Sequence, residues 1–182
     1  MNARKEAQII SQVQAGNSES FAEIVNFYEH QLFRFVGNMV GIHNAEDVVQ
    51  EVFIAAFRNL RRFDAKKASF RTWLYRIARN QALNYLKKKK SDDGQTLPDP
   101  QNVPTPADQI LQKEMFLQID SALAGLKFSD RAVFILADIE GLSYAQIARI
   151  EGVRLGTVKS RLSRARAKLK TVVESYLNHY ET

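Results

Sequence analysis

The chain has 182 residues, 45% of them hydrophobic, and no cysteine. Disulfides, thiolate chemistry and cysteine-ligated zinc are therefore excluded, and the length suits one large or two small globular domains. The net charge of +6 falls in blocks: three basic against seven acidic residues over 1–57, twelve against one over 58–90, four against ten over 91–151, and seven against two over 152–182. Two separate basic blocks point to two separate contacts with a polyanion. No apolar run approaches the roughly 20 residues of a membrane span. The start, Met1-Asn2-Ala3-Arg4-Lys5-Glu6, lacks the apolar core of a signal peptide. These features predict a soluble, cytoplasmic chain with no membrane insertion.

In chain order, the spacing of apolar residues predicts helices near 3–15, 18–38, 44–62 and 69–90, with Gly16-Asn17 and Gly41-Ile42-His43-Asn44 as breaks. Asn44 is a candidate N-cap, with Asp47 in the first turn behind it. From Val48 the apolar positions Val49, Val52, Phe53, Ala56, Phe57 and Leu60 keep a helical period. The next helix, from Phe70, divides on a wheel. Phe70, Leu74, Ile77, Ala78 and Tyr85 make an inner stripe, and Arg76, Arg79, Asn80, Asn84 and Lys87 an outer face, with Trp73 at the border. Large aromatics beside cations suit single-stranded nucleic acid, because a base stacks on a ring while arginine holds phosphate. Phe63, set among Arg61, Arg62, Lys66 and Lys67, reads either as a cap on a small core or as a bracket for an extruded base.

All four prolines lie between Pro98 and Pro106. Proline removes a donor and constrains its predecessor, so residues 91–107 read as a flexible linker. The predicted architecture is all-α, with two small helical domains at 1–90 and 108–182. The second domain reads as helices near 106–125, 129–139, 143–151 and 155–178, with Ser129 and Ser143 as candidate N-caps. Ser143 with Gln146 forms a capping-box pattern.

Residues 143–170 read as a helix-turn-helix. Ile147, Ala148 and Ile150 are the inward candidates of its first helix, and Gly152-Val153-Arg154 the turn. In the second helix Leu155, Val158, Leu162, Ala165 and Leu169 share one side; Lys159, Ser160, Ser163, Arg164 and Lys170 fall opposite, flanked by Arg161, Arg166 and Lys168. Between residues 152 and 170 there are seven basic residues and no acidic one. A helix that needed only to be soluble would mix the signs. Arginine and lysine read guanine edges or grip phosphate, and serine does either. Arg154, Thr157, Lys159 and Ser160, nearest the helix start, are placed to reach deepest.

Asp47 to Phe53, Phe70 to Asn80, Gly141 to Ala148 and Gly156 to Arg161, taken together and in this order, resemble the bacterial RNA polymerase sigma factors of the extracytoplasmic-function (ECF) group. The resemblance covers nearly the whole chain. It implies a factor that binds core RNA polymerase, through its clamp coiled coil and flap, and directs it to promoter DNA. Asp47, Gln50, Glu51 and Phe53 match the helix that docks on the clamp. Phe63, Trp73, Arg76, Arg79, Asn80, Asn84 and Lys87 match the elements that open and read the −10 element, an asparagine at the place of Asn80 helping to hold a flipped base. Arg154, Thr157, Lys159, Ser160, Arg161, Ser163 and Arg164 match the reader of the −35 element. An anti-sigma factor is implied as a further partner.

Two other classes compete with this reading. A helix-turn-helix regulator acting without polymerase fits the last quarter nearly as well, but gives the aromatic basic helix no purpose. An enzyme fits poorly. His30, His43 and His179 lack metal-ligand spacing, no glycine loop is built to cradle phosphate, and Glu46, Asp47 and Glu51 read as a partner-binding or solvated face. No catalytic residue, metal or cofactor is predicted.

Overall fold

The first helix begins where the sequence supplies a cap. In a computed structural model that describes residues 2–93 and 121–180, the Asn2 side chain accepts from the Lys5 N–H at 2.8 Å and opens α1 (Ala3–Gln14). Ile9, Ile10 and Val13 turn inward from it. A 3-10 turn, Ser18–Ser20, leads into α2 (Phe21–Val40), whose Ile24, Tyr28, Leu32, Phe35, Val36 and Met39 form the central stripe of the core. The Tyr28 hydroxyl donates to the Glu6 carboxylate and ties α1 to α2. Burial first, and the Glu6 bond second, push this phenol well above its ordinary pKa.

Gly41, at φ +89°, ends α2 in a conformation that glycine tolerates. Asn44 stands at the N-cap position of α3 (Ala45–Asn59), but its side chain does not cap that helix. Its Nδ2 donates instead to the Val40 carbonyl at 3.0 Å and closes α2. A 3-10 turn, Leu60–Arg62, follows α3. The fourth helix, α4 (Phe70–Asp93), runs three residues into the segment expected as linker; the remainder of that segment lies outside the described residues. The inner stripe of α4 is rotated from expectation. Tyr75 and Ala82 are buried beside Phe70, Leu74 and Ala78, while Ile77 and Tyr85 are only half-buried. Tyr75 is drawn in by Phe35 of α2, ring on ring edgewise at 5.4 Å, a favoured aromatic geometry.

The chain divides into two compact units, residues 1–88 and 89–182. In the second, a helical turn at 121–124 precedes α5 (Phe128–Phe134), which widens into a π-helical turn at Ile135–Ile139. Lys127, not Ser129, holds the N-cap position of α5, and no side chain caps it. Ser143 does cap α6 (Tyr144–Glu151): both halves of the capping box are formed, and Gly152 at φ +67° turns the chain into α7 (Leu155–Tyr180). Val158, Leu162, Ala165 and Leu169 of α7 are buried. Ala165 and Leu169 pack with Ala122, Leu123 and Leu126. Leu155, expected inward, is 44% exposed, because the helix starts before the packed stripe does. Among the described residues every regular element is helical and no helix is long and apolar enough to cross a membrane.

The capping box gives a first expected result. Ser143→Ala removes one acceptor for an otherwise orphaned helix N–H, and should destabilise the second unit by about 1 kcal/mol in thermal unfolding. No shift would mean that Gln146 and water replace it fully.

Candidate nucleic-acid interface

Three surfaces carry the residues singled out by the sequence. On α3, Asp47, Gln50 and Glu51 are exposed along one edge, as an acidic face would be. Phe53 departs from that group. It is only 9% exposed and meets Phe21 edge-on at 6.4 Å, so it belongs to the core of its own unit. The outward aromatic on this helix is Phe57, 42% exposed and one heptad beyond Gln50, braced on Phe21 at 5.2 Å. The period made both phenylalanines look inward; both meet Phe21, but only Phe53 is buried.

The second surface is built at the start of α4. Phe63, Phe70 and Trp73 form a three-ring cluster, with centroids 5.4 Å apart for Phe63–Phe70, 5.2 Å for Phe63–Trp73 and 5.4 Å for Phe70–Trp73. Phe70 is buried, whereas Phe63 and Trp73 keep part of their rings in solvent. Both sequence readings of Phe63 are thus compatible with its place: it caps the core and still offers a ring. The loop carrying it is held by a residue that the sequence did not flag. Gln14 of α1 donates from Nε2 to the carbonyls of Leu60 and Phe63, at 2.9 and 3.2 Å. Asp64 then folds the loop back by accepting from the Lys66 N–H at 2.9 Å, the side-chain turn typical of aspartate. Ser69 accepts from the Thr72 N–H at 3.3 Å and starts α4. Arg76, Asn80, Asn84 and Lys87 are exposed along that helix; Arg79 is half-buried and reaches Asn80 Oδ1 at 3.3 Å.

The third surface is the N-terminal half of α7. Arg154, Lys159, Ser160, Ser163 and Arg164 are exposed, and Thr157 is half-buried. The Ser160 hydroxyl donates back to the Thr157 carbonyl at 3.0 Å. The arginines are not a uniform positive face. Arg161 Nη1 donates to Glu151 Oε2 at 2.8 Å; the Glu151 side chain is fully buried and that of Arg161 only 19% exposed. Arg161 thus braces the turn between α6 and α7, where the resemblance placed it among the −35 contacts. Arg164 pairs side-on with Asp130 of α5, and Arg166 side-on with Asp138 on the π-helical turn. Hydrogen bonding to these carboxylates is the main cause that raises both guanidinium pKa values further. Lys168 Nζ donates to the Gly125 carbonyl at 2.7 Å. The acidic partners lie up to 34 positions from their arginines. No local spacing signals them; they meet because α5 crosses α7. Among the described residues no cluster of histidine, aspartate and glutamate is arranged to hold a metal ion.

Comparison with known proteins gives these surfaces a common context. Residues 24–91 match Sigma-70 region 2, and residues 116–169 match Sigma-70 region 4. These two regions in this order define the sigma-70 class of transcription initiation factors. The chain is 34% identical over 174 residues to the ECF RNA polymerase sigma factor SigW of Bacillus subtilis, covering 88% of this chain and 92% of that one. It is 33% identical over 179 residues to the ECF RNA polymerase sigma-E factor of Escherichia coli K12, covering 91% and 93%. Among solved structures it is similar to the sigma factor RpoE of Bartonella quintana in complex with the anti-sigma factor NepR. That match has 26% identity and a TM-score of 0.72, and covers 86% of this chain and 98% of that one. The chain belongs to the ECF RNA polymerase sigma factors, and its function is to direct the polymerase to promoters.

Proposed function

We propose that this sigma factor divides its work among the three surfaces. The region 2-like domain, residues 1–90, docks on core polymerase through Asp47, Gln50 and Glu51, with Phe57 rather than Phe53 as the apolar contact. The same domain opens and reads the −10 element through Phe63, Trp73, Arg76, Arg79, Asn80, Asn84 and Lys87. The region 4-like domain, residues 108–182, reads the −35 element through Arg154, Thr157, Lys159, Ser160, Ser163 and Arg164, and residues 91–107 link the two. The chain works by recognition and strand opening in the cytoplasm, without catalysis, metal or cofactor. By its likeness to RpoE, which was solved with NepR, it takes an anti-sigma factor as partner.

The observation that carries the reading is the pairing of a half-exposed aromatic cluster with exposed cations in one unit and a braced recognition helix in the other. Opening a duplex costs about 1–2 kcal/mol per base-pair step. Stacking an extruded base on an aromatic ring returns about 1–3 kcal/mol. The energy of opening is thus of the size that Phe63 and Trp73 can offset.

The testing experiment is co-elution with bacterial core RNA polymerase on size exclusion. The wild-type chain is expected to co-elute at micromolar concentration. Asp47→Ala/Gln50→Ala should not co-elute, yet should unfold like the wild type, because both side chains are exposed. No co-elution of the wild type at moderate salt would sink the docking proposal and favour a regulator acting without polymerase.

A further inference from the structure

The guanidinium of Arg164 carries five N–H donors in a planar fork. Asp130 engages one edge of it: Nε donates to Oδ2 at 3.2 Å and Nη2 to Oδ1 at 3.1 Å. This side-on pairing uses two donors. Nη1 and the second Nη2 hydrogen remain on the outer edge, with no further partner among the described residues. Those two edges are not equivalent in use. The outer edge presents parallel donors that match the N7 and O6 acceptors of a guanine in the major groove. An end-on carboxylate would have occupied it.

The two partners also differ in freedom. The Asp130 side chain is 8% exposed, whereas that of Arg164 is 60% exposed. Asp130 lies in the first turn of α5, where its own N–H is bonded to the Lys127 carbonyl at 2.9 Å. The acid is therefore the anchored member and the arginine the presented one. A long side chain already held in one orientation loses less rotamer freedom on binding. Arg166 and Asp138, the latter on the π-helical turn that follows α5, repeat the side-on geometry, so a second ion pair restrains the rotation of α7.

We infer that Asp130 is a positioning residue for promoter recognition: it holds Arg164 side-on, so that the outer guanidinium edge is offered to one guanine. The inference rests on α7 being the DNA-reading helix.

The test is selection from a randomised duplex library by the full chain assembled on core RNA polymerase. The wild type is expected to enrich a guanine at one position, and Arg164→Ala to lose on the order of tenfold discrimination there. Asp130→Asn keeps the shape but replaces one acceptor by an amide. It should lose most of the same discrimination at the same position, with the rest of the selected sequence retained. If Asp130→Asn does not fold, Asp130→Glu keeps the charge and displaces the carboxylate by one methylene; reduced guanine preference is then expected, and an unchanged one overturns the inference. Wild-type selection by Asp130→Asn overturns it too. So does tighter binding, which would mean that Asp130 withholds Arg164 from DNA. A uniform loss of affinity with no position affected makes Arg164 a phosphate clamp and also overturns it. If the wild-type assembly enriches no sequence, the DNA reading of α7 itself fails, which is a separate result.

Discussion

Replacing Arg161 by alanine is expected to destabilise the second unit by about 3–5 kcal/mol, the range for removing one partner of a buried ion pair. An exposed pair would contribute only about 0–1 kcal/mol. The distinction turns on Glu151, whose side chain is fully buried and ends α6 just before the Gly152 turn. Without Arg161, the buried Glu151 side chain loses the cation it is paired with. Trp73 is the only tryptophan and lies in the first unit, so two signals separate the effect. Urea unfolding followed by circular dichroism should show an early transition from the second unit, while the Trp73 fluorescence transition stays in place. The double variant Glu151→Leu/Arg161→Leu should recover most of the loss, because a well-packed apolar pair replaces both charges. If Arg161→Ala unfolds like the wild type but loses DNA binding, Arg161 is a contact after all and the brace is incidental.

This case marks where sequence reasoning stops. Helix positions followed from local chemistry: Ser143 with Gln146, and Gly152, act where a cap and a turn were expected to act. Which face of each helix turned inward was mostly legible as well, because a 3.6-residue period is a local property. What the period cannot supply is a partner. Phe53 and Phe57 share the same pattern and both meet Phe21, yet Phe53 is buried and Phe57 is 42% exposed. Asn44 had the right type and place for a cap, yet closes the preceding helix instead. The seven cations of residues 152–170 read as one polyanion-binding block. In the folded chain Arg161, Arg164 and Arg166 are paired with Glu151, Asp130 and Asp138. Part of the block is therefore bonded within its own unit, to acids on neighbouring elements. Family resemblance named the candidate residues; it could not tell presented arginines from braced ones, because that depends on acids in α5, the π-helical turn after it, and α6.

The aromatic cluster leads to the second large effect. Trp73→Ala should reduce promoter opening roughly tenfold or more, since stacking a base on an aromatic side chain contributes about 1–3 kcal/mol. The readout is fluorescence of 2-aminopurine placed in the −10 segment, with the variant assembled on core polymerase. Polymerase binding and −35 binding should be unchanged, because they use other helices. Some stability will also be lost. Trp73 meets Phe63 and Phe70 within 5.4 Å, and each aromatic pair contributes about 0.5–1.5 kcal/mol beyond area burial. Stability and opening must therefore be measured on the same variants. Trp73→Phe keeps a ring for both roles and should recover much of each. Phe63→Ala leaves Trp73 in place but removes the ring that braces it, so a smaller opening defect is expected. The decisive comparison is between Trp73→Ala and a variant of similar stability loss inside the core, such as Ile24→Ala, which leaves the exposed rings untouched. If both open promoters equally well, Trp73 is only a cap on the core. If only Trp73→Ala fails, the half of the ring left in solvent is where the opened strand stacks.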